Sequence, residues 1–254
     1  MLISPVNVSE GREGPVLARL VAAGGDAVLD VHRDAHHHRS VLTLAGEDAV
    51  RAVSAVAVAT IDLRRHTGVH PRLGAVDVVP FVPYGPSSMA DAERARDDFA
   101  RWIAGELGVP AIVYRDEGPT LPQVRATARF QLLPHPTAGA VAVSARGPLV
   151  AYNVWLAAPD LGLAKRVAAA VRGPGIRALG LPVGGRVQVS MNLVDPLRLG
   201  PAQAYDSVAG LARVAGAELV GLVPQAVLDA VAPARWAELD LDARKSVEAR
   251  LGIL

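Results

Sequence analysis

The sequence predicts a mixed α/β chain built from two split βαβ, ferredoxin-like units. Short apolar runs of strand type alternate with segments of helical period throughout the chain. Several of those strands follow one another with no helix between, which argues against a single doubly wound sheet. The alternation also starts again after Pro134–Gly139 (PHPTAG), so one unit is expected over 1–138 and a second over 139–254.

In the first unit, Leu2–Val8 reads as a strand, and Val16–Ala23 as a helix with Pro15 at its start and Gly24-Gly25 after its end. Ala27–Val31 and Ser40–Ala45 are short apolar strands. Glu47–Arg64 is a helix because Val50, Val53, Ala57 and Ile61 recur near helical spacing. Val76–Val82 is an apolar strand. Ser88 and Asp91 form a capping box ahead of a helix whose face carries Ala92, Ala95, Phe99, Trp102 and Ile103, closed by Gly108. Ala111–Arg115 is a strand and Leu121–Leu132 a helix.

In the second unit, strands are expected at 140–144, 150–156, 176–181, 186–193 and 217–223, and helices at 160–172, 201–215, 225–231 and 242–251. Gly173-Pro174-Gly175 and Gly184-Gly185 read as turns, with phosphate cradling as the rival reading.

Of the 254 residues, 51% are hydrophobic and 20% charged, enough for a sizeable core and against disorder. A net charge of +1 gives no electrostatic case for nucleic acid or an anionic membrane as partner. The absence of cysteine excludes disulfides and thiolate nucleophiles and fits a cytoplasmic location. The opening MLISPVNVSEGREG lacks the basic and apolar regions of a signal peptide, and no run is apolar enough to span a membrane.

The candidate chemistry lies in two histidine-rich segments. The first, DVHRDAHHHRS, carries His32, His36, His37 and His38 with Asp30 and Asp34. Neighbouring strand residues face opposite ways, so at most His36 and His38 share a face. A polar loop, a substrate-contacting loop and a metal site are the open readings. The second, HTGVHPRLGAVD, holds His66, His70, Arg72 and Asp77. Gly68 and Pro71 oppose the helix that a zinc-binding histidine pair needs. One reading is a turn whose histidines satisfy backbone groups. The other makes His70 a general base, since an imidazole titrating near about pH 6.5 takes and returns a proton at neutral pH. Arg72 would then hold a substrate carboxylate, and Asp77 either orients the loop or caps its amides.

These segments resemble the glutamate formiminotransferase family. Asn7-Val8-Ser9-Glu10-Gly11 is similar to the family's N-[FV]-S-E-G, and Asp30 through His38-Arg39-Ser40-Val41 to its D-x(7–8)-[HN]-R-[ST]-V. His66, Gly68, His70, Pro71, Arg72, Leu73, Gly74, Ala75 and Asp77 match its H-x-G-x-H-P-R-[ML]-G-A-x-D. Tyr152-Asn153-Val154, Val187–Leu193 and Glu218–Pro224 extend the match in order through the second half. The resemblance implies two subdomains packed around a folate-binding groove. It also implies transfer of a formimino or formyl group between N-formiminoglutamate and N5 of tetrahydrofolate, as in histidine degradation. It places the catalytic histidine on His70 and substrate or folate contacts on Asn7, Asp34, His38, Arg39, Arg72, Gly74, Asp77 and Asn192. Tetrahydrofolate would be the co-substrate, with no metal. Small anionic molecules would be the partners, and a helix-faced subdomain is compatible with a homodimer.

The chain also departs from the family. His32 stands at an acidic position, with Asp34 as a substitute. After Leu121-Pro122 the family reads R-x-G-[EQ]-[YF]-E; here Arg125 is followed by Ala126-Thr127-Ala128-Arg129-Phe130, so the glycine and both polar partners are lost. Only Leu133–Gly139 spans a longer folate-binding segment. The alternative is therefore a non-catalytic paralogue that binds a folate-like or other anionic ligand. A third reading, a metal-dependent hydrolase using His36, His38 and His70, predicts bound metal.

Overall fold

A computed structural model describes residues 1–253 except 69–70, 116–117, 119–120 and 132; of residues 122 and 128–131 it describes the backbone alone. The chain divides into two compact units, Met1–Gly147 and Pro148–Leu254.

The first unit opens with β1 (Leu2–Val8), α1 (Gly14–Gly24), β2 (Val28–Asp34), β3 (Arg39–Ala45), α2 (Glu47–Thr60) and β4 (Val76–Pro83). These strands lie in the order β2-β3-β1-β4, each pair antiparallel. That arrangement is the split βαβ unit expected from the sequence. The chain continues through α3 (Met89–Leu107), β5 (Ala111–Arg115), α4 (Leu121–Gln131) and β6 (Val141–Ala145). β6 inserts between β4 and β5, parallel to both.

The strand expected to begin the second half thus completes the first sheet, and the division falls after Gly147 rather than at 138/139. All five residues of β6 are buried, the pattern of a central parallel strand covered on both faces.

Helical period turns the apolar stripes of α1 (Val16, Leu17, Leu20), α2 (Val50, Val53, Ala57) and α3 (Ala92, Ala95, Phe99, Ile103) into one core with Leu42, Leu44, Val79 and Phe81. Burying a side chain such as Phe81 or Leu20 contributes about 1.5–3 kcal/mol. The Ser88–Asp91 capping box forms as read, with Ser88 Oγ accepting the Asp91 N–H and Asp91 accepting from Ser88. The helix expected over 47–64 stops at Thr60, because Asp62 accepts the Arg64 N–H in a separate 3₁₀ turn and the Leu63 N–H donates to Thr137 O at 2.9 Å.

The second unit repeats the topology: β7 (Val150–Leu156), α5 (Leu161–Val171), β8 (Ile176–Val183), β9 (Arg186–Leu193), α6 (Pro201–Ala209) and β10 (Val214–Val220), in the order β10-β7-β9-β8. Tyr152, Val154, Val189, Met191 and Leu193 pack with Ala164, Ala168, Ala204 and Val208 in its core. Gly184-Gly185 joins β8 to β9 with φ of 54° and 82°, a two-residue hairpin in which positive φ is required at both positions. The helix expected to reach Ala215 ends at Ala209, because Val214–Val220 pairs with β7. Two short helices, α7 (Gln225–Asp229) and α8 (Val247–Leu251), close the chain. Among the described residues, no helix is long and apolar enough to cross a membrane.

Candidate active site

Three segments of the first unit meet at one end of its sheet: the chain leaving β1, the β2–β3 hairpin, and the described residues 66–68 and 71–75 ahead of β4. The Ser9 N–H donates to Ala75 O at 2.8 Å and Ser9 Oγ–H to Gly74 O at 2.7 Å. Ser9 is therefore a strap between β1 and the motif, and the cap position of α1 is Glu13.

Close backbone approach explains the motif's glycines. A Cβ on Gly74 would stand 2.1 Å from Ala140 O, and one on Gly68 would stand 2.5 Å from His37 O and 2.7 Å from His38 Cβ. The hairpin loop and the motif loop are in backbone contact through Gly68.

Glu10 is buried, and its Oε1 accepts the N–H groups of Arg12 at 2.6 Å and Glu13 at 2.9 Å. The same oxygen lies 3.3 Å from His38 Nδ1, which accepts the Gly11 N–H at 3.1 Å. His38 has φ of 52°, a left-handed conformation in which His and Asn are enriched among non-glycine residues. That requirement accounts for the [HN] choice in the motif. His38 stacks on His66 with ring centroids 4.1 Å apart. His66 Nδ1 accepts the Gly68 N–H at 3.1 Å while its Nε2–H donates to His38 O at 3.0 Å, so both ring nitrogens are committed.

Burial, then the Arg72 charge and the His38 imidazole, push His66 down to about 4. Burial lowers His38 as well; Glu10 opposes this, and Arg12 and Arg72 reinforce it.

These shifts set a pH dependence. The folded chain resists protonation of His38 and His66, while an unfolded imidazole accepts a proton near about pH 6.5. Their contribution is complete above that pH and is lost as the pH falls toward about 4, where His66 titrates in the fold. Urea unfolding is expected to show lower stability at pH 5 than at pH 7, with a smaller difference in His66→Gln. Equal differences in the two proteins would contradict this origin.

The second cluster surrounds Asp77, which is fully buried in β4. Its Oδ1 accepts the Leu73 N–H at 2.6 Å and its Oδ2 the Arg125 Nη2–H at 2.5 Å. Asp77 therefore both holds the loop and pairs a guanidinium. Burial lowers Arg39 and Arg72; the Asp77 carboxylate opposes this in both, and Arg125 adds to the lowering. The Asp77 carboxylate thus pairs Arg125 and acts on Arg39 and Arg72, and Asp34 acts on Arg39 as well; guanidinium groups of this kind suit a carboxylate or other anion. Arg72 Nη2–H donates to Gly68 O at 2.8 Å, tying the cluster to the histidine loop.

Asp34, at the end of β2, accepts the His37 N–H at 2.8 Å and also binds His37 Nδ1. In strand register Asp34 lies opposite Arg39. Asp34, His38, Arg39, Arg72, Gly74 and Asp77 thus belong to one region. Asn7 lies on β1 between Val41 and Val78, its Nδ2–H on Pro5 O at 3.2 Å. Asn192 lies on β9 of the second unit, exposed, beside Ala151 and Arg177. His70 falls outside the described residues.

Sequence reasoning did not assign the bonding of Glu10, the stacking of His66 or the pairing of Arg125. Glu10 stands inside N-V-S-E-G and Arg125 follows Leu121-Pro122, where the family carries an arginine, but neither motif says what its side chain bonds. His135 caps a tight turn: its Nδ1 accepts the Ala138 N–H at 3.0 Å, and its backbone pairs with Gly139. Leu133–Gly139 accordingly closes directly onto the strap at Gly74.

The sequence model of the Formiminotransferase domain, N-terminal subdomain, matches residues 1–165. A glutamate formimidoyltransferase of Streptococcus pyogenes serotype M1 is 34% identical, with 95% of each chain covered. The chain belongs to the formiminotransferase family. A second glutamate formimidoyltransferase, from Thermoplasma acidophilum, is 32% identical over 88% of each chain. A formimidoyltransferase-cyclodeaminase of Sus scrofa is 33% identical, and the chain spans 51% of its length. The alignment with the streptococcal formiminotransferase relative runs over 284 positions, more than the 254 residues of this chain, so that relative carries insertions absent here. Among the described residues, no group of three His, Asp or Glu is placed to hold a metal.

Proposed function

We propose that the protein transfers the formimino group of N-formiminoglutamate to N5 of tetrahydrofolate, releasing glutamate. The observation that carries this reading is the meeting of the S-E-G, H-R-S and P-R-L-G-A-x-D segments in one region, in a chain similar over 95% of its length to a protein named glutamate formimidoyltransferase. N5 attacks the formimino carbon, loses its proton, and the glutamate nitrogen gains one as its bond to carbon breaks. His70 is the imidazole assigned to that proton traffic. Both substrates carry carboxylates, and Arg39 and Arg72 supply matching guanidiniums. Asp34 and His38 shape the loop beside them, Gly74 and Asp77 hold the motif in place, and Asn7 and Asn192 are assigned to substrate contact.

The two units are the family's two subdomains, each a split βαβ. Tetrahydrofolate is a co-substrate, the reaction uses no metal, and the location is cytoplasmic.

The short turn at Leu133–Gly139 favours a second reading, a paralogue that binds a folate-like anion without turnover. Purified protein given both substrates is expected to form glutamate and 5-formimino-tetrahydrofolate in equal amounts. Calorimetric binding of tetrahydrofolate without turnover would favour the paralogue, and neither binding nor turnover would sink both.

A further inference from the structure

We propose that Arg12 is a specificity-determining residue of this site, its guanidinium taking one carboxylate of the formimino donor. The proposal rests on the formimino-transfer reading above.

Arg12 follows the N-V-S-E-G segment, and its backbone is held from both sides. Its N–H donates to the buried Glu10 at 2.6 Å, and its carbonyl accepts the Arg33 Nη2–H at 2.5 Å. The side chain is held as well. Nε–H donates to Ala35 O at 2.8 Å in the β2–β3 hairpin, and Nη1–H to Thr67 Oγ1 at 3.0 Å ahead of β4. One guanidinium therefore bridges all three segments that build the site. Two bonds from different nitrogens fix its plane, so little side-chain freedom is left to lose when a ligand binds.

Both anchors are neutral oxygens. Among the described residues no carboxylate pairs with the Arg12 side chain, and no acceptor takes its Nη2. Exposed arginines elsewhere differ: Arg64, Arg94, Arg101 and Arg198 each pair with an aspartate two or three positions before them. Arg12 is also exposed, so an anion can reach it. Its charge is felt inside the site, where it helps to lower both His38 and Arg72. Repulsion between neighbouring guanidiniums is relieved when a carboxylate binds. Both substrates carry carboxylates, but those of tetrahydrofolate are separated from N5 by the aminobenzoyl group, whereas those of the donor lie close to its reacting carbon. Thr67 belongs to the histidine motif itself, so the position of Arg12 favours the donor.

The test is the steady-state kinetics of the whole protein and its Arg12→Gln and Arg12→Lys variants, with folding checked by thermal melts. The donors are N-formiminoglutamate and two analogues that each lack one carboxylate, N-formiminoglutamine and 4-formiminoaminobutyrate. The wild-type protein is expected to prefer N-formiminoglutamate to both. Arg12→Gln is expected to raise KM for N-formiminoglutamate about 10–100-fold and to use one of the two analogues as well as wild type does. KM for tetrahydrofolate should stay within a fewfold. Arg12→Lys keeps the charge but loses the fork, and should recover part of the preference. Arg12→Met serves if Arg12→Gln does not fold. An equal loss on all three donors would reduce Arg12 to a support of the loop, and a rise confined to KM for tetrahydrofolate would assign it to the folate tail. Either result, or an unchanged donor preference, would overturn the proposal alone. If the wild-type protein does not turn over, calorimetric titration with N-formiminoglutamate and N-formiminoglutamine reads the same preference in binding. A wild-type protein that neither turns over nor binds N-formiminoglutamate would remove the functional reading and the proposal with it.

Discussion

Asp77→Ala is expected to destabilise the protein by about 3–5 kcal/mol, the usual cost of removing one partner from a buried ion pair. The Asp77 side chain is 1% exposed, that of Arg125 only 14%, and they are joined through Oδ2 and Nη2. Without the carboxylate, Arg125 loses its buried partner, Arg39 and Arg72 lose an attraction that offsets their burial, and the Leu73 N–H loses its acceptor. For a chain of this size the melting temperature should fall by roughly 10 °C. Asp77→Asn should lose less, because its amide oxygen still serves Leu73 while the charge is gone. Thermal and urea unfolding of the three proteins measure this directly. A loss below about 1 kcal/mol for Asp77→Ala would mean that solvent or another anion satisfies the guanidiniums, and that the carboxylate does not hold the cluster together.

His70→Ala carries the opposite expectation: little effect on stability and a large one on rate. A positioned acid/base contributes about 10²–10⁴-fold. His70→Ala should therefore reduce kcat by that order while leaving KM for either substrate within a fewfold, since the carboxylate contacts proposed for Arg39 and Arg72 are untouched. Melting within about 0.5 kcal/mol of wild type is expected for a residue whose contribution is chemical. Steady-state kinetics at saturating substrate, beside a melt, separate the two effects. Full activity in a folded His70→Ala would move the chemistry elsewhere in the site.

Much of this arrangement is legible in the sequence because its signals are local. Period-2 and period-3.6 patterns mark β1, β7, β9, α1 and α3 to within a residue or two. Glycine and proline spacing argues against a helix ahead of β4, and the described residues 66–68 and 71–75 form none. The parts that escape depend on distant partners. The run AVAVSA suits either half equally, and only pairing with β4 and β5 makes it a member of the first sheet. The helical pattern of 201–215 persists past Ala209, yet Val214–Val220 gains more as the outer partner of β7. Arg125 reaches Asp77 across 48 positions of chain, a contact that neither residue's neighbours foretell. Ser9 shows the same limit: a hydroxyl before a helix suggests a cap, while its real partner is a carbonyl 65 residues away.

The most direct test of the central claim is a single-turnover experiment with enzyme in excess over N-formiminoglutamate and tetrahydrofolate saturating. The account predicts one glutamate released and one 5-formimino-tetrahydrofolate formed per donor, in step, with neither appearing when His70→Ala replaces the wild-type protein on the same timescale. Intact N-formiminoglutamate at the end of the reaction, with folded protein and tetrahydrofolate bound, would contradict it.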